Sequence, residues 1–492
     1  MDCRTPAVTP PQSGDHRIES GPDPIPCDGP AVAGGKVVGA GRAFVRTVHH
    51  FFPEWNRWLN EWPDTRYQPF VEYHQRFLAW WGLLLFCCEL ASRRQLDYRL
   101  RDLDTHVLEN VNRLANTNQE SLPVHKTLDH FLGHVGSIPL AGLRTRAMHH
   151  LMRQRVLDAG RLLGHYVVAL DGTGHLVFGQ PHCPHCLTQK SEHETVYLHP
   201  VLEAKLVDPR GLALSLGTEF IENTEPANPI PACADYEKIK QDCELKAWQR
   251  LAPELKRAFP RTALCWSADS LYACGPGFTI CEQNNWAYVF TFKPGRTPAL
   301  WSDFEGLLAL VPENRLDVDL ADGTHQHHRW VNALEYRDSE GRPHRPNALL
   351  CEETRNGQST RFAWLTNLRV DASTVIAIAE KGGRLRSKIE NEGFNTQKNS
   401  GLALEHAYSC DPENSKTFYL LLQIAHMLLQ LFEHGSLLRQ VAREAGGECR
   451  QVFGSLKNIP QLLLECLRYF AIPAEAFDAD QTAHCQVRLD SS

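Results

Sequence analysis

Three acids stand out by their surroundings. Asp171 closes the apolar run Tyr166-Val167-Val168-Ala169-Leu170 and is followed by Gly172-Thr173. Asp269 follows a second apolar run, Ala263-Leu264-Cys265-Trp266, and precedes Ser270-Leu271-Tyr272. Glu390 lies in Arg386-Ser387-Lys388-Ile389-Glu390-Asn391-Glu392-Gly393-Phe394-Asn395, a stretch that reads as helix. Two carboxylates at strand ends and a third on a helix can hold a pair of divalent cations about 3.5–4 Å apart, an arrangement suited to cutting phosphodiesters. Two Mg²⁺ ions fit such ligands, because Mg²⁺ prefers hard oxygens and keeps waters that substrate phosphates can replace; Mn²⁺ would substitute. Arg386, one turn before Glu390, and Phe394, one turn after, share its helix face. Lys381, Arg384, Arg386, Lys388 and Lys398 surround the acids of this helix. That pattern suits a phosphate backbone lying along it, or else an ordinary surface helix with ion pairs. Gly393 inside the helix costs about 1 kcal/mol and points to close approach of something bulky.

The acids are separated by 98 and then 121 residues, so only a fold can gather them. Residues 1–40 are rich in Pro, Gly and Asp and read as disordered. Residues 41–162 read as helical, with helices at Phe77–Leu90, Thr127–Val135 and Leu143–Leu163. The last carries Arg144, Arg146, Arg153, Arg155 and Arg161 against a single acid, Asp158, which is either a DNA-backbone contact or a solvated face. Strand patterns follow at His165–Leu170, Thr195–Val207 and Gly211–Ile221. A helix at Tyr236–Phe259, a strand at 263–268, a short helix at 276–284 and a strand at Trp286–Phe292 complete the series. The order is that of a ribonuclease-H-like core, in which the first and fourth strands are neighbours, so Asp171 and Asp269 would meet. Residues 293–360 read as a β-rich insertion with strands at Arg315–Val318, His328–Glu335 and Asn347–Glu352. Arg361–Leu368 is a further strand, 372–400 is mainly helix, and Thr417–Leu431 is an apolar helix that should be buried. The fold class is thus α/β: a catalytic domain over 163–440, preceded by an all-helical, DNA-binding region over 41–162 and followed by a helical tail, 441–492, with a helix at Pro460–Phe470.

The chain has 492 residues and a net charge of −7, which excludes a uniformly basic nucleic-acid coat and leaves DNA contact to local patches. Its 16 cysteines are scattered and do not form a disulfide scaffold. No secretory leader is visible, so a reducing cytoplasm is expected. The apolar run Phe77–Cys88 is about 12 residues against the roughly 20 of a membrane span, so no membrane association is expected. No Gly-rich phosphate loop ending in Lys-Ser/Thr points to ATP. Cys183-Pro184-His185-Cys186 offers two ligands of a structural zinc, with His193 and His199 nearby and Cys233 or Cys243 able to complete it through folding; packed thiols in a turn are the alternative. His325-Gln326-His327-His328 could bind metal but lies in the polar insertion, where it reads as a solvated or DNA-facing loop. Asp242 and Glu244, at a helix start, compete with Asp269 as second acid, and the strand end favours Asp269.

Several segments together resemble the DDE transposases of bacterial insertion sequences, specifically the ISNCY-type group. They are Ala169-Leu170-Asp171-Gly172-Thr173, Lys240-Gln241-Asp242-Cys243-Glu244, Asp269-Ser270-Leu271-Tyr272-Ala273, Trp364-Leu365-Thr366-Asn367-Leu368, the run Ile389–Asn399, and Leu404-Glu405-His406-Ala407-Tyr408. The resemblance implies a metal-binding triad of Asp171, Asp269 and Glu390. It also implies an endonuclease that cuts double-stranded DNA at terminal inverted repeats and transfers strands to target DNA. The partners would be a second copy, as a homodimer on DNA, and the setting the nucleoid of a bacterial cytoplasm. A related transposase group carries Tyr, Arg, Glu and Lys on the third-acid helix; here Arg386 stands in the Arg place, Lys398 near the Lys place, and Gly383 in the Tyr place. In that group a Trp of the insertion stacks on a flipped base, for which Trp301 and Trp330 are candidates, a buried core place being the alternative for each. Expected DNA contacts are therefore Arg386, Lys398, Lys388, Arg384, Arg153 and Arg155. A metal-dependent nuclease without transposition, or an inactive DNA-binding remnant, remains open.

Overall fold

In the computed structural model, which describes residues 30–101, 105–190, 194–223, 241–478 and 487–489, the apolar runs assemble into one ten-stranded sheet. In chain order the strands are β1 (Tyr166–Phe178), β2 (Leu187–Lys190), β3 (Thr195–Val207), β4 (Ala213–Phe220), β5 (Leu264–Ala268), β6 (Ala287–Thr291), β7 (Arg315–Asp319), β8 (His325–Val331), β9 (Tyr336–Arg337), β10 (Pro343–His344), β11 (Asn347–Arg355) and β12 (Gln358–Thr366). The sheet order is β2-β3-β1-β5-β6-β12-β11-β8-β7, with β4 also paired to β3, and β9 and β10 form a separate ladder. β1 runs antiparallel to β3 and parallel to β5; β4 is antiparallel to β3 and β6 parallel to β5. The expected neighbours, 165–170 and 263–268, thus lie side by side.

The β-rich insertion joins this sheet, because β12 pairs antiparallel with β6 and carries β11, β8 and β7 beyond it. It also contains a helix, Pro298–Leu308, started by Pro at its first turn. The His325–His328 segment is strand β8 rather than a loop. His325 and His327 face Asp319 and Asp317 of β7 at 2.8 and 2.6 Å, and His328 is buried.

Helices cover both sheet faces. Leu251 and Leu255 of the helix Glu244–Ala258 press on Gly217 of β4, where a Cβ would lie 2.9 Å from Leu255. On the other face Phe220 and His175 meet the ring of Tyr419 at 5.6 and 4.8 Å. Tyr419 belongs to the helix Pro412–Glu433, started by an Asp411 side chain that accepts the Asn414 N–H at 2.7 Å. That helix is buried nearly throughout, each large apolar side chain contributing about 1.5–3 kcal/mol. Among the described residues no helix is long and apolar enough to cross a membrane.

Two expectations about helices change. Residues 30–40 are not irregular: the helix Pro30–Phe51 includes them, while residues 1–29 lie outside the described residues. Its glycines mark close helix packing, since a Cβ at Gly39 would come 2.8 Å from Val441 and one at Gly41 would come 2.3 Å from Cys466 Sγ. The arginine-rich helix is Ser137–Arg153, because the chain turns out at Arg155, whose φ is +59°. The N-terminal helices and the C-terminal tail also share contacts: Asn110 Nδ2 donates to the carbonyls of Leu467 and Phe470 at 3.0 and 2.8 Å.

Candidate active site

β1 and β5 position two of the three acids. Their last paired residues are Leu170 and Ala268, so Asp171 and Asp269 leave that ladder on strands about 4.8 Å apart. Asp171 does not end its strand, however. β1 continues to Phe178 because β3 pairs with it as far as Tyr197, across an irregularity between Gly174 and Leu176. Asp171 sits where pairing to β5 stops and pairing to β3 goes on. Asp269 is held by its own turn, its Oδ1 accepting the Leu271 N–H at 2.8 Å.

Glu390 comes from a continuous helical run over 375–399 whose turns alternate between α, 3₁₀ and π. Glu390 lies in a π segment, Ile389–Asn395, a distortion frequent at functional sites. The altered turn leaves Glu390 exposed while Phe394 is buried. Glycines let this run approach the sheet: a Cβ at Gly383 would lie 2.3 Å from the Trp364 indole, and one at Gly382 would lie 2.7 Å from Val289. No side chain fits at Gly383, which explains the absence of a Tyr there. A Cβ at Gly393 would lie 3.2 Å from the stem of Lys205. Ser267 Oγ donates to the Gly382 carbonyl at 2.5 Å, and Gln430 Nε2 to the Glu392 carbonyl at 3.2 Å, tying the run to β5 and to the central helix Pro412–Glu433.

Two of the three acids, Asp171 and Glu390, meet through Arg386. Its Nη1 donates to Glu390 Oε1 at 2.6 Å and lies 3.8 Å from Asp171 Oδ2. A fourth acid joins them. Glu244, the first residue of its helix, reaches over Gly172, where a Cβ would lie 2.2 Å from Glu244 Oε1. The Tyr272 hydroxyl donates to Glu244 Oε2 at 2.9 Å. Of the two helix-start acids weighed in the sequence, Asp242 is instead paired with Arg250 at 2.6 Å. Burial pushes the Asp171 carboxyl up to about 7; Arg386 opposes this, and Glu390, Glu244 and Asp269 add to it. Burial likewise raises the Glu244 carboxyl, with Asp269 adding to it, against the Tyr272 hydrogen bond. Among the described residues no three of these acids bring oxygens within 4.8 Å of one another; a guanidinium stands between Asp171 and Glu390.

No family model matches the chain, and no curated protein does. Among solved structures, the piggyBac transposase synaptic complex with hairpin DNA is similar at a TM-score of 0.38 and 9% identity, over 86% of this chain and 80% of that chain. A likeness this loose identifies no activity.

The other expected DNA contacts are dispersed. Lys398 pairs with Glu405 at 2.8 Å and Lys388 with Glu392. Arg384 binds Glu353 and Glu380 at 2.6 and 2.9 Å and lies over the Phe362 ring. Arg153 is exposed at its helix end, and Arg155 is exposed and paired with Asp158 at 2.9 Å. Elsewhere in that segment Arg144 is buried against Ser215 and Thr218, and Arg146 pairs with Glu61. Trp330 is buried, and Trp301 packs on Phe292. Cys183 and Cys186 lie at the far end of the β1–β3 pair, their sulfurs 3.8 Å apart.

Proposed function

We propose that this chain is a transposase that cuts DNA at the ends of an insertion sequence and joins the freed 3′ ends to a target, in reactions that require divalent metal. The observation that supports the reading is that Asp171 shares Arg386 with Glu390 and lies within electrostatic reach of Asp269 and Glu244, acids from elements far apart in sequence. The strand order β4-β3-β1-β5-β6, antiparallel in its first three members and parallel in the rest, supports a ribonuclease-H-like core with β7–β12 as an insertion-bearing extension. The bacterial insertion-sequence group, the terminal inverted repeats, the homodimer on DNA and the cytoplasmic setting rest on the sequence motifs alone.

The donor set fits Mg²⁺. Every available ligand atom is a hard carboxylate oxygen, and the burial and mutual repulsion that raise Asp171 are relieved by an added cation. Asp171, Asp269 and Glu390 would hold the metal, with Glu244 steadied beside them by Tyr272. When bound, the metal pair supplies the charge that activates the attacking hydroxyl and stabilises the leaving oxygen. Arg386 neutralises Asp171 and Glu390 until then; once displaced, its planar donor fork suits a DNA phosphate. Lys398, Lys388, Arg384, Arg153 and Arg155 stay in the proposal as backbone contacts, and the acids paired with Lys398, Lys388, Arg384 and Arg155 would have to yield or share them.

The test is the purified chain incubated with Mg²⁺ and DNA carrying paired element ends. Strand-joined products support the transposase, and nicks without joining replace it by a nuclease on the same site. Full activity in Asp269→Ala and Glu390→Ala would remove the metal chemistry altogether.

A further inference from the structure

Toward the far end of the β1–β3 pair, where His199 lies opposite Leu176, five residues or about 16 Å along the strand from Asp171, a set of soft ligands gathers without any part in the acidic site. We propose that Cys183, Cys186, His199 and His182 bind one structural Zn²⁺. The two sulfurs lie 3.8 Å apart, and His199 Nε2 lies 3.4 Å from Cys183 Sγ and 3.1 Å from Cys186 Sγ. Tetrahedral Zn–S bonds of about 2.3 Å and Zn–N bonds of about 2.0–2.1 Å set S···S near 3.8 Å and S···N near 3.5 Å, so the spacings suit a shared ion. Cys183, His182 and His199 bring one ligand atom each within 4.8 Å of one another. His182 supplies the independent sign: its Nδ1 is buried with no hydrogen-bond partner.

The surroundings are those of a metal site. The loop folds so that the His185 N–H points at Cys183 Sγ and the Cys183 N–H at Cys186 Sγ, each at 3.3 Å, which stabilises thiolate. His199 turns its other nitrogen, Nδ1, toward Glu222 Oε1 at 3.6 Å, the outer carboxylate that orients metal-bound imidazoles. Glu222 is in turn held by Lys416 of the helix Pro412–Glu433 at 2.7 Å. Phe178 stacks on His182 at 4.3 Å, and Tyr197 packs beside the thiols. Four protein ligands leave no open coordination position, so the ion would be structural. It would fasten the excursion between β1 and β3 to β3 itself and, through Glu222 and Lys416, to the central helix. Cys243, one of the thiols that could have completed the site, is exposed and not part of it; His193 and Cys233 lie outside the described residues.

The full chain, purified under reducing conditions without added metal, is assayed for zinc by elemental analysis, and a second sample is loaded with Co²⁺. The expected result is about one zinc per chain and a cobalt spectrum with thiolate charge-transfer bands and the intense visible absorption of a tetrahedral ion. Cys183→Ser, Cys186→Ser and His199→Ala lose the zinc, while Cys243→Ser and Asp171→Asn keep it. Where a ligand variant fails to fold, the wild-type cobalt spectrum decides. Zinc-free protein that takes up cobalt without a sulfur band, or a Cys183–Cys186 disulfide in its place, overturns the proposal.

Discussion

The two ends of the β1–β3 pair make opposite demands on a cation. At the Asp171 end the ligands are oxygens contributed by β1, the turn after β5 and two helices, and they are spread until something positive draws them in. At the Cys183 end the proposed ligands are sulfur and imidazole, packed among Phe178 and Tyr197 with the sulfurs 3.8 Å apart and His199 Nε2 3.1 Å from Cys186 Sγ. The first arrangement suits an ion that is bound weakly, shared with substrate and exchanged. The second suits an ion acquired on folding and retained. On these two proposals, one pair of strands would carry a site that must stay open and another built to close.

The sharpest way to break that contrast is at the open end. Asp269→Asn or Glu390→Gln should reduce Mg²⁺-dependent DNA cleavage by about 10³-fold or more, the loss of several kcal/mol of transition-state stabilisation, with zinc content unchanged. Gel assays of end cleavage beside elemental analysis would check both halves. A stability effect of opposite sign comes next. Asp171 is raised from 3.8 to about 7, so the folded chain holds a proton that the unfolded chain releases near pH 4. Asp171 therefore costs no stability below about pH 4, costs increasingly as pH rises through 4–7, and its full penalty is present above 7. In Mg²⁺-free buffer at pH 8, Asp171→Asn should stabilise the protein by about 2–4 kcal/mol, a gain that fades toward pH 4 in denaturant titrations; Mg²⁺ should stabilise the wild type more than the variant. Glu244→Gln, which removes a flanking charge, should lower cleavage by about tenfold. Smallest is Arg386→Ala: with the competing guanidinium gone, calorimetry on DNA-free protein should show Mg²⁺ binding about two- to fivefold tighter, at roughly 0.5–1 kcal/mol.

How much of this was legible follows from which interactions are local. Thr195–Val207 and Leu264–Ala268 read as strands because their short runs are apolar, with β-branched residues in the first and an aromatic in the second, a composition that favours extended chain, and the observed bounds agree closely. The neighbourhood of Asp171 and Asp269 followed from the order of those elements. The continuation of β1 through Gly172-Thr173-Gly174 was not legible, since glycines look like a turn until a partner strand supplies the ladder. The same holds for Pro30–Phe51, whose glycines read as irregular chain but serve helix contact. Glu244 could not be separated from Asp242 by position; what separates them is Gly172, which leaves room for one, and Arg250, which occupies the other. Asp171, Asp269 and Glu390 were visible by type and setting, whereas the guanidinium between two of them is a matter of side-chain placement. The Cys-x-x-Cys pair offered two candidate zinc ligands, and folding β3 beside it brings up His199.

The most direct measurement is anomalous diffraction from crystals of the protein with end DNA, soaked in Mn²⁺. Two peaks about 3.5–4 Å apart, bounded by Asp171, Asp269 and Glu390 with Arg386 turned away, are the result expected. Manganese elsewhere, or an unbroken Arg386–Glu390 pair with DNA in place, would contradict the account.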